Sequence, residues 1–281
     1  MKILVTGGAG FVGTNLIKRL VNEKHSVVSL DNYSIGTREN HITGANYQDL
    51  DVNDITSLKN DFDLIFHLAG LSRIQPSFLN PSETFHSNTC GVERVLEWAR
   101  AKKTKVIYSG SSSKHHNPYQ SPYAFYKYIG EEICRMYRKT YSMQIEIVRF
   151  YNVYGPYEIM KGDWAAVIGL WRYQASMGGP LTIVGDGKQR RDFTHIDDII
   201  EGLLLVAFSY ETAKDAWELG SGKNYSLLEV YELFNKRFNV NKIHLPDQKG
   251  NYRVTLREDN SALRKLGWKP QDRLRAYIES L

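Results

Sequence analysis

Over the first 151 residues, short β-branched and apolar runs alternate with longer stretches in which apolar side chains recur every three or four positions. Ile3–Val5, Val27–Leu30, Leu64–Leu68, Val106–Tyr108 and Ile145–Phe150 predict strands. Between them, Phe11–Asn22, Thr84–Lys102 and Tyr123–Tyr141 predict helices, the second most clearly, with Val92, Val95, Leu96 and Ala99 on one face. Continuous apolar strands joined by helical crossovers imply a parallel sheet covered on both faces, so an α/β fold. Beyond Asn152 the pattern loosens into α+β material: helices over Ala165–Met177, after Asp197-Asp198 and over Ser226–Phe238, and strands near Leu181–Val184 and Trp217–Leu219. Neither an internal repeat nor a Gly, Pro or Ser-rich linker separates the parts. The expected division is 1–151 for one domain and 152–281 mainly for a second, with segments near 192–222 returning to the first.

Composition narrows the class. Of 281 residues, 42% are hydrophobic and 24% charged, which excludes disordered and fibrous chains. Two cysteines, Cys90 and Cys134, exclude a disulfide framework and predict a reducing compartment. No apolar window approaches a membrane span, so a cytoplasmic protein is expected, without a membrane partner. The net charge of +5 is spread along the chain with no nucleic-acid motif beside it, which argues against nucleic acid as partner and leaves an anionic small ligand.

The first strand runs into Gly7-Gly8-Ala9-Gly10-Phe11-Val12-Gly13, which opens a helix. Glycines at 7, 10 and 13 allow a tight turn, close approach of a pyrophosphate and close helix–strand packing, while the helix N-terminus offers N–H groups. Asp31, 18 residues beyond Gly13, ends the second strand where a carboxylate accepts hydrogen bonds from ribose hydroxyls and repels a 2′-phosphate. NAD is therefore expected as cofactor. Tyr123 and Lys127, four apart, share a helix face, and Ser111 follows a strand whose C-terminal end faces the same crevice. A phenol becomes a base near neutrality only if about 4 kcal/mol favours its phenolate. A lysine ammonium about 6 Å away supplies roughly 2.8 kcal/mol of that at an effective dielectric of about 20.

These residues, together with LDNYSIG at 30–36, His67-Leu68-Ala69-Gly70, RFYNVYGP at 149–156, GDGKQRRDF at 185–193 and LGWKP at 266–270, resemble the extended short-chain dehydrogenase/reductase family, in its nucleotide-sugar epimerase and dehydratase branch. The resemblance implies a Rossmann-type doubly wound sheet with a smaller substrate domain. It implies that Phe11, Val12, Asn32, Tyr33, Ser34 and Gly36 hold the adenosine half of NAD with Asp31, that Asp51 and Val52 lie near the adenine, and that Leu68, Ala69, Gly70, Ser72, Ser87, Lys127 and Tyr151 line the cofactor. Asn152, Thr182, Val184 and Arg191 fall where relatives grip the nucleotide diphosphate, beside Ser111 and Tyr123. No metal is implied, and a homodimer through helices Thr84–Lys102 and Tyr123–Tyr141 is.

An Asp-Glu pair for water elimination is absent after Ser111, where Ser112 and Ser113 stand, so the resemblance points to a 4-epimerase, UDP-hexose first, working through a 4-keto sugar. Another NAD-dependent nucleotide-sugar enzyme (dehydratase, decarboxylase or reductase) and a non-catalytic NAD-sensing module are the alternatives. The chain departs from the family in three places. Lys114-His115-His116 replaces Val-Tyr-Gly; the loop from Ser111 to Tyr123 is short; and a late phosphate-binding arginine aligns with Gln248, leaving Lys249 or Arg253 to replace it. The two histidines, adjacent and without a neighbouring carboxylate in sequence, are expected to be solvated or sugar-facing rather than metal ligands. Thr255 falls where relatives tune access for an acetamido group.

Overall fold

A computed structural model describes residues 1–281. Seven strands, all parallel, form one sheet in the order Trp217–Leu219, Ile145–Phe150, Lys105–Ser111, Leu64–His67, Lys2–Thr6, Ser26–Asp31, Ala45–Asp49. Alternation along each strand sends its side chains to two separate cores. Ile3, Val5 and Phe66 pack under helices Phe11–Asn22 and Ile196–Phe208. Leu4, Ile65, Val106 and Ile147 pack under helices Gly91–Lys102 and Pro122–Tyr141. The fold is a Rossmann-type doubly wound sheet.

Six of the seven strands come from the first 151 residues. The seventh, Trp217–Leu219, pairs in parallel with Ile145–Phe150, and helix Ile196–Phe208 covers the adjoining face, so both belong to this sheet and not to the later α+β part. Ala262 and Trp268 complete the same core, with the Trp268 indole N–H donating to the Asp198 carbonyl at 2.8 Å. A third core, with Trp171, Ile183, Phe193, Val230 and Phe234, holds the smaller part together. There helix Leu227–Phe238 begins in a capping box, Ser226 with Glu229, and strand Leu181–Val184 pairs with Lys242–Leu245. The expected helix over Thr84–Lys102 is a composite of Pro81–Phe85, a single π-helical turn over His86–Cys90, and Gly91–Lys102.

A buried ion cluster ties strand Ile145–Phe150 to helix Pro122–Tyr141 and strand Trp217–Leu219. Arg149 donates to Glu131 at 2.7 Å and to Glu218 at 2.8 Å, all three side chains at most 3% exposed. Although burial opposes its charge, these two carboxylates hold the guanidinium firmly protonated. Replacing Arg149 with methionine removes the buried cation that Glu131 and Glu218 share and leaves them only the more exposed Arg135 and His115, and an expected loss of about 3–5 kcal/mol follows. Urea unfolding of the two proteins measures it; a loss below about 1 kcal/mol would contradict the assignment.

Candidate active site

Because the seven strands of the main sheet are all parallel, their C-terminal ends meet along one edge, and the loops leaving them help to build one cleft of about 740 Å³. The glycine turn forms one end of it. Gly7 adopts φ +70° and donates to the Leu30 carbonyl at 2.8 Å, and a Cβ on Gly13 would stand 2.2 Å from the Gly7 carbonyl oxygen. Gly10 caps helix Phe11–Asn22 with no side chain in the way, so the first N–H groups of the helix face the cleft. Asp31, at the end of its strand, accepts from the Ala9 N–H and the Tyr33 N–H, both at 2.9 Å. A carboxylate so held retains lone pairs for two further donors. Asp51 is partly buried, yet hydrogen bonds from Asn53 and Asn32 keep its carboxyl below the usual range.

The other end is built by strand Lys105–Ser111 and helix Pro122–Tyr141. Ser121 caps the helix by accepting from the Ala124 N–H at 3.1 Å, and Pro122 occupies its first turn, which sets Tyr123 one turn before Lys127. The Tyr123 hydroxyl donates to Ser111 Oγ at 3.1 Å. Lys127 Nζ donates to the Ser109 carbonyl at 3.0 Å, and burial lowers its pKa to about 8. Burial raises the Tyr123 phenol above its ordinary value, against the opposing effects of Ser111 and Arg73. The lysine alone therefore does not make the free protein's tyrosine a base, and a further positive charge in the cleft has to contribute. His67, fully buried behind this wall, is held neutral with a pKa of about 3 and pairs with Thr6 at 2.8 Å.

Apart from Tyr33, Tyr151 and Arg253, every residue assigned above to cofactor or substrate lines this cleft. The Tyr33 hydroxyl turns outward to His41, 2.9 Å away, beneath the Arg38 guanidinium. The Tyr151 side chain is buried under the cleft floor, where its hydroxyl donates to Glu218. Arg253 lies outside, in an exposed ion pair with Asp186 at 2.8 Å. It therefore does not replace the arginine missing at Gln248; Gln248 itself lines the cleft, and Lys249 lies over the Phe78 ring. Thr255, also in the wall, accepts from Asn152 at 2.9 Å and so fixes that amide.

Carboxylates distant in sequence correct the reading of the histidines. His115 meets Glu218 at 2.8 Å and Glu258 at 3.2 Å, and this pairing raises its pKa. His116 stacks on Tyr252 with ring centroids 3.9 Å apart. The short loop is thus pinned to the C-terminal segment rather than solvated. Sequence reasoning missed Arg73 and Glu158, both in the cleft wall, and the role of Asn88, whose amide bonds both the N–H and the carbonyl of Leu71 at 2.8 Å. The Leu71 clamp joins residues 17 apart, and no local spacing signals it.

The NAD dependent epimerase/dehydratase family model matches residues 3–220. The chain belongs to this family. It is 30% identical over 302 residues to the UDP-glucose 4-epimerase of Mycolicibacterium smegmatis, covering 96% of this chain and 94% of the relative. It is 29% identical over 300 residues to a putative UDP-glucose 4-epimerase of Methanocaldococcus jannaschii, covering 99% and 96%. Among solved structures it resembles the UDP-glucuronic acid 4-epimerase of Bacillus cereus in complex with UDP-glucuronic acid and NAD, with TM-score 0.91, 27% identity, and 99% and 97% of the chains covered.

As in its family, the cofactor of this epimerase homologue is NAD, and the residues present fit it: an open glycine cradle, an exposed helix N-terminus and a carboxylate with free lone pairs at Asp31. Gly13→Ala forces the cradle apart and is expected to weaken NAD binding by at least about tenfold. Fluorescence titration of the folded variant measures this; unchanged affinity would rule out the turn as the pyrophosphate site.

Proposed function

We propose that this protein is an NAD-dependent nucleotide-sugar 4-epimerase, acting on a UDP-hexose. The observation that carries the reading is the hydrogen-bonded Tyr123–Ser111 pair with Lys127 beside it, opening into the same cleft as the glycine cradle. Similarity to UDP-glucose 4-epimerases along nearly the whole chain supports it.

Tyr123, once ionised, takes the proton from the sugar's C4 hydroxyl, and Ser111, within hydrogen-bond reach of the phenol, holds that oxygen in place. Bound NAD supplies the acceptor and donor of the C4 hydrogen. Lys127, its ammonium held by the Ser109 carbonyl near the pair, would hold the nicotinamide ribose of the bound cofactor, and Tyr123 would return its proton to the C4 oxygen of the product. No residue pair stands after Ser111 to remove water from the keto sugar, since Ser112 and Ser113 carry no carboxyl. Arg191, largely buried and without an ion-pair partner, is suited to the diphosphate, because its planar fork binds phosphate oxygens in pairs.

UDP-glucose and UDP-galactose are the neutral sugar pair on which the reaction is tested. A homodimer is part of the same reading, supported by Phe85, Met136 and Tyr141, which stay exposed on the two expected helices. The cytoplasm is its expected compartment, supported by two unpaired cysteines.

Incubating the NAD-loaded protein with UDP-glucose and following the anomeric protons by NMR tests the reaction; absence of UDP-galactose would count against it. Tyr123→Phe should retain NAD and lower kcat by about 10²–10⁴-fold; near-native turnover removes Tyr123 as the base. The base must be ionised and the lysine charged, so kcat/KM should rise with pH and then fall as Lys127, with a pKa of about 8, loses its proton. A rate that stays level to the alkaline end would exclude that role for Lys127.

A further inference from the structure

Arg73 leaves strand Leu64–His67 on a loop and stands at the start of the helix Ile74–Leu79, with its side chain in the cleft wall. Its Nε donates to the Trp164 carbonyl at 2.9 Å, and no carboxylate lies within 4.0 Å of its guanidinium. The titratable groups nearest in effect are Tyr123 and Glu158. Glu158 does not neutralise it: that carboxyl bonds Arg172 at 3.0 Å and burial pushes it up to about 7. Arg191 is the second guanidinium of the cleft wall without a counter-ion. A guanidinium keeps its proton even where burial disfavours charge, so each waits for an anion.

A nucleotide sugar brings a diphosphate, which Arg191 meets in the proposed function. Arg73 remains: it heads the helix whose Ser77 Oγ accepts the Tyr123 N–H at 3.1 Å, and it lines the same cleft as that phenol, where the reacting C4 hydroxyl of the hexose has to lie. In a hexuronic acid the carboxylate is attached to C5, the neighbour of C4. A sugar whose C4 hydroxyl rests on Tyr123 carries that carboxylate toward the cleft wall in which Arg73 stands. A neutral hexose offers only hydroxyls there and leaves the cation uncompensated.

We propose that Arg73 is a specificity residue that pairs with a carboxylate on the hexose, making a nucleotide-linked hexuronic acid the preferred substrate class. The assignment refines the 4-epimerase reading and rests on it for the placement of C4. A planar guanidinium meets a carboxylate through two parallel N–H bonds, a geometry a lysine cannot reproduce.

The test compares UDP-glucuronic acid with UDP-glucose on the NAD-loaded protein, by calorimetry for binding and by NMR for turnover. The expected result is binding at least about tenfold tighter, and a correspondingly higher kcat/KM, for UDP-glucuronic acid. Arg73→Gln should erase that preference by raising the KM for the uronate at least about tenfold more than the KM for UDP-glucose, whereas any change of kcat through Tyr123 falls on both sugars alike. Arg73→Lys should restore part of it. Equal affinity of the native protein for the two sugars overturns the proposal, as does an Arg73→Gln variant that weakens both alike. If the variant does not fold, the selectivity of the native protein decides alone. The two readings fail separately: tight uronate binding with decarboxylation or no C4 exchange keeps Arg73 and removes the epimerase, whereas C4 exchange of both sugars without preference keeps the epimerase and removes Arg73.

Discussion

The guanidinium of Arg149 is the point through which the catalytic side of the molecule is tied together. It belongs to the strand next to the sheet's edge, and its partners come from elsewhere: Glu131 from the helix that carries Tyr123 and Lys127, Glu218 from the edge strand. Glu218 in turn receives His115 from the rebuilt loop and Tyr151 from below the cleft floor, and Arg135 and Asp215 extend the network outward. In a buried setting such a cluster holds only while every member is paired, so the orientation of the catalytic helix and the path of the short loop are set by one charge balance. The loop's unusual sequence is consistent with this: where the family has an apolar turn, this chain has a histidine that reaches the cluster.

Above the cluster, the cleft is organised by the opposite circumstance. Asp31 and Asp51 have donors around them, whereas Arg73 and Arg191 donate to backbone carbonyls and meet no carboxylate. The carboxylate end suits the hydroxyl-rich half of a dinucleotide, and the guanidinium end suits an anionic sugar nucleotide. Between them Tyr123 is partly buried, and loss of water around it raises its phenol above the ordinary value, so its basicity depends on positive charge brought into the cleft.

How much of this was legible in the sequence depended on distance along the chain. The glycine turn, the capping serine before Tyr123, and the Tyr123–Lys127 spacing are local and carry their own geometry. Strand Ala45–Asp49 was missed because Asn46, Gln48 and Asp49 give it no apolar run, which an edge strand with partly exposed residues can tolerate. Trp217–Leu219 was expected as a strand in a stretch returning to the first domain, and what local spacing could not name is its partner, a strand about seventy positions earlier. The environment of His115 was misread for the same reason: its carboxylate partner Glu218 lies 103 residues away. Arg73 could be read as a residue but not as a cation without a partner, since that is a statement about everything around it. Arg253, chosen by alignment, has a nearby acid at Asp186 that only the folded chain reveals.

The chain crosses between its two parts repeatedly: Ile196–Phe208, Trp217–Leu219, Ala262 and Trp268 all return to the sheet laid down by the first 151 residues, while the segments between them build the substrate side. Division at Asn152 would therefore leave one face of the larger core without its covering helix and its tryptophans. The two parts are distinct as binding surfaces yet inseparable as folding units, and unfolding is expected to proceed as one cooperative transition, with the cleft lost and regained together with the sheet.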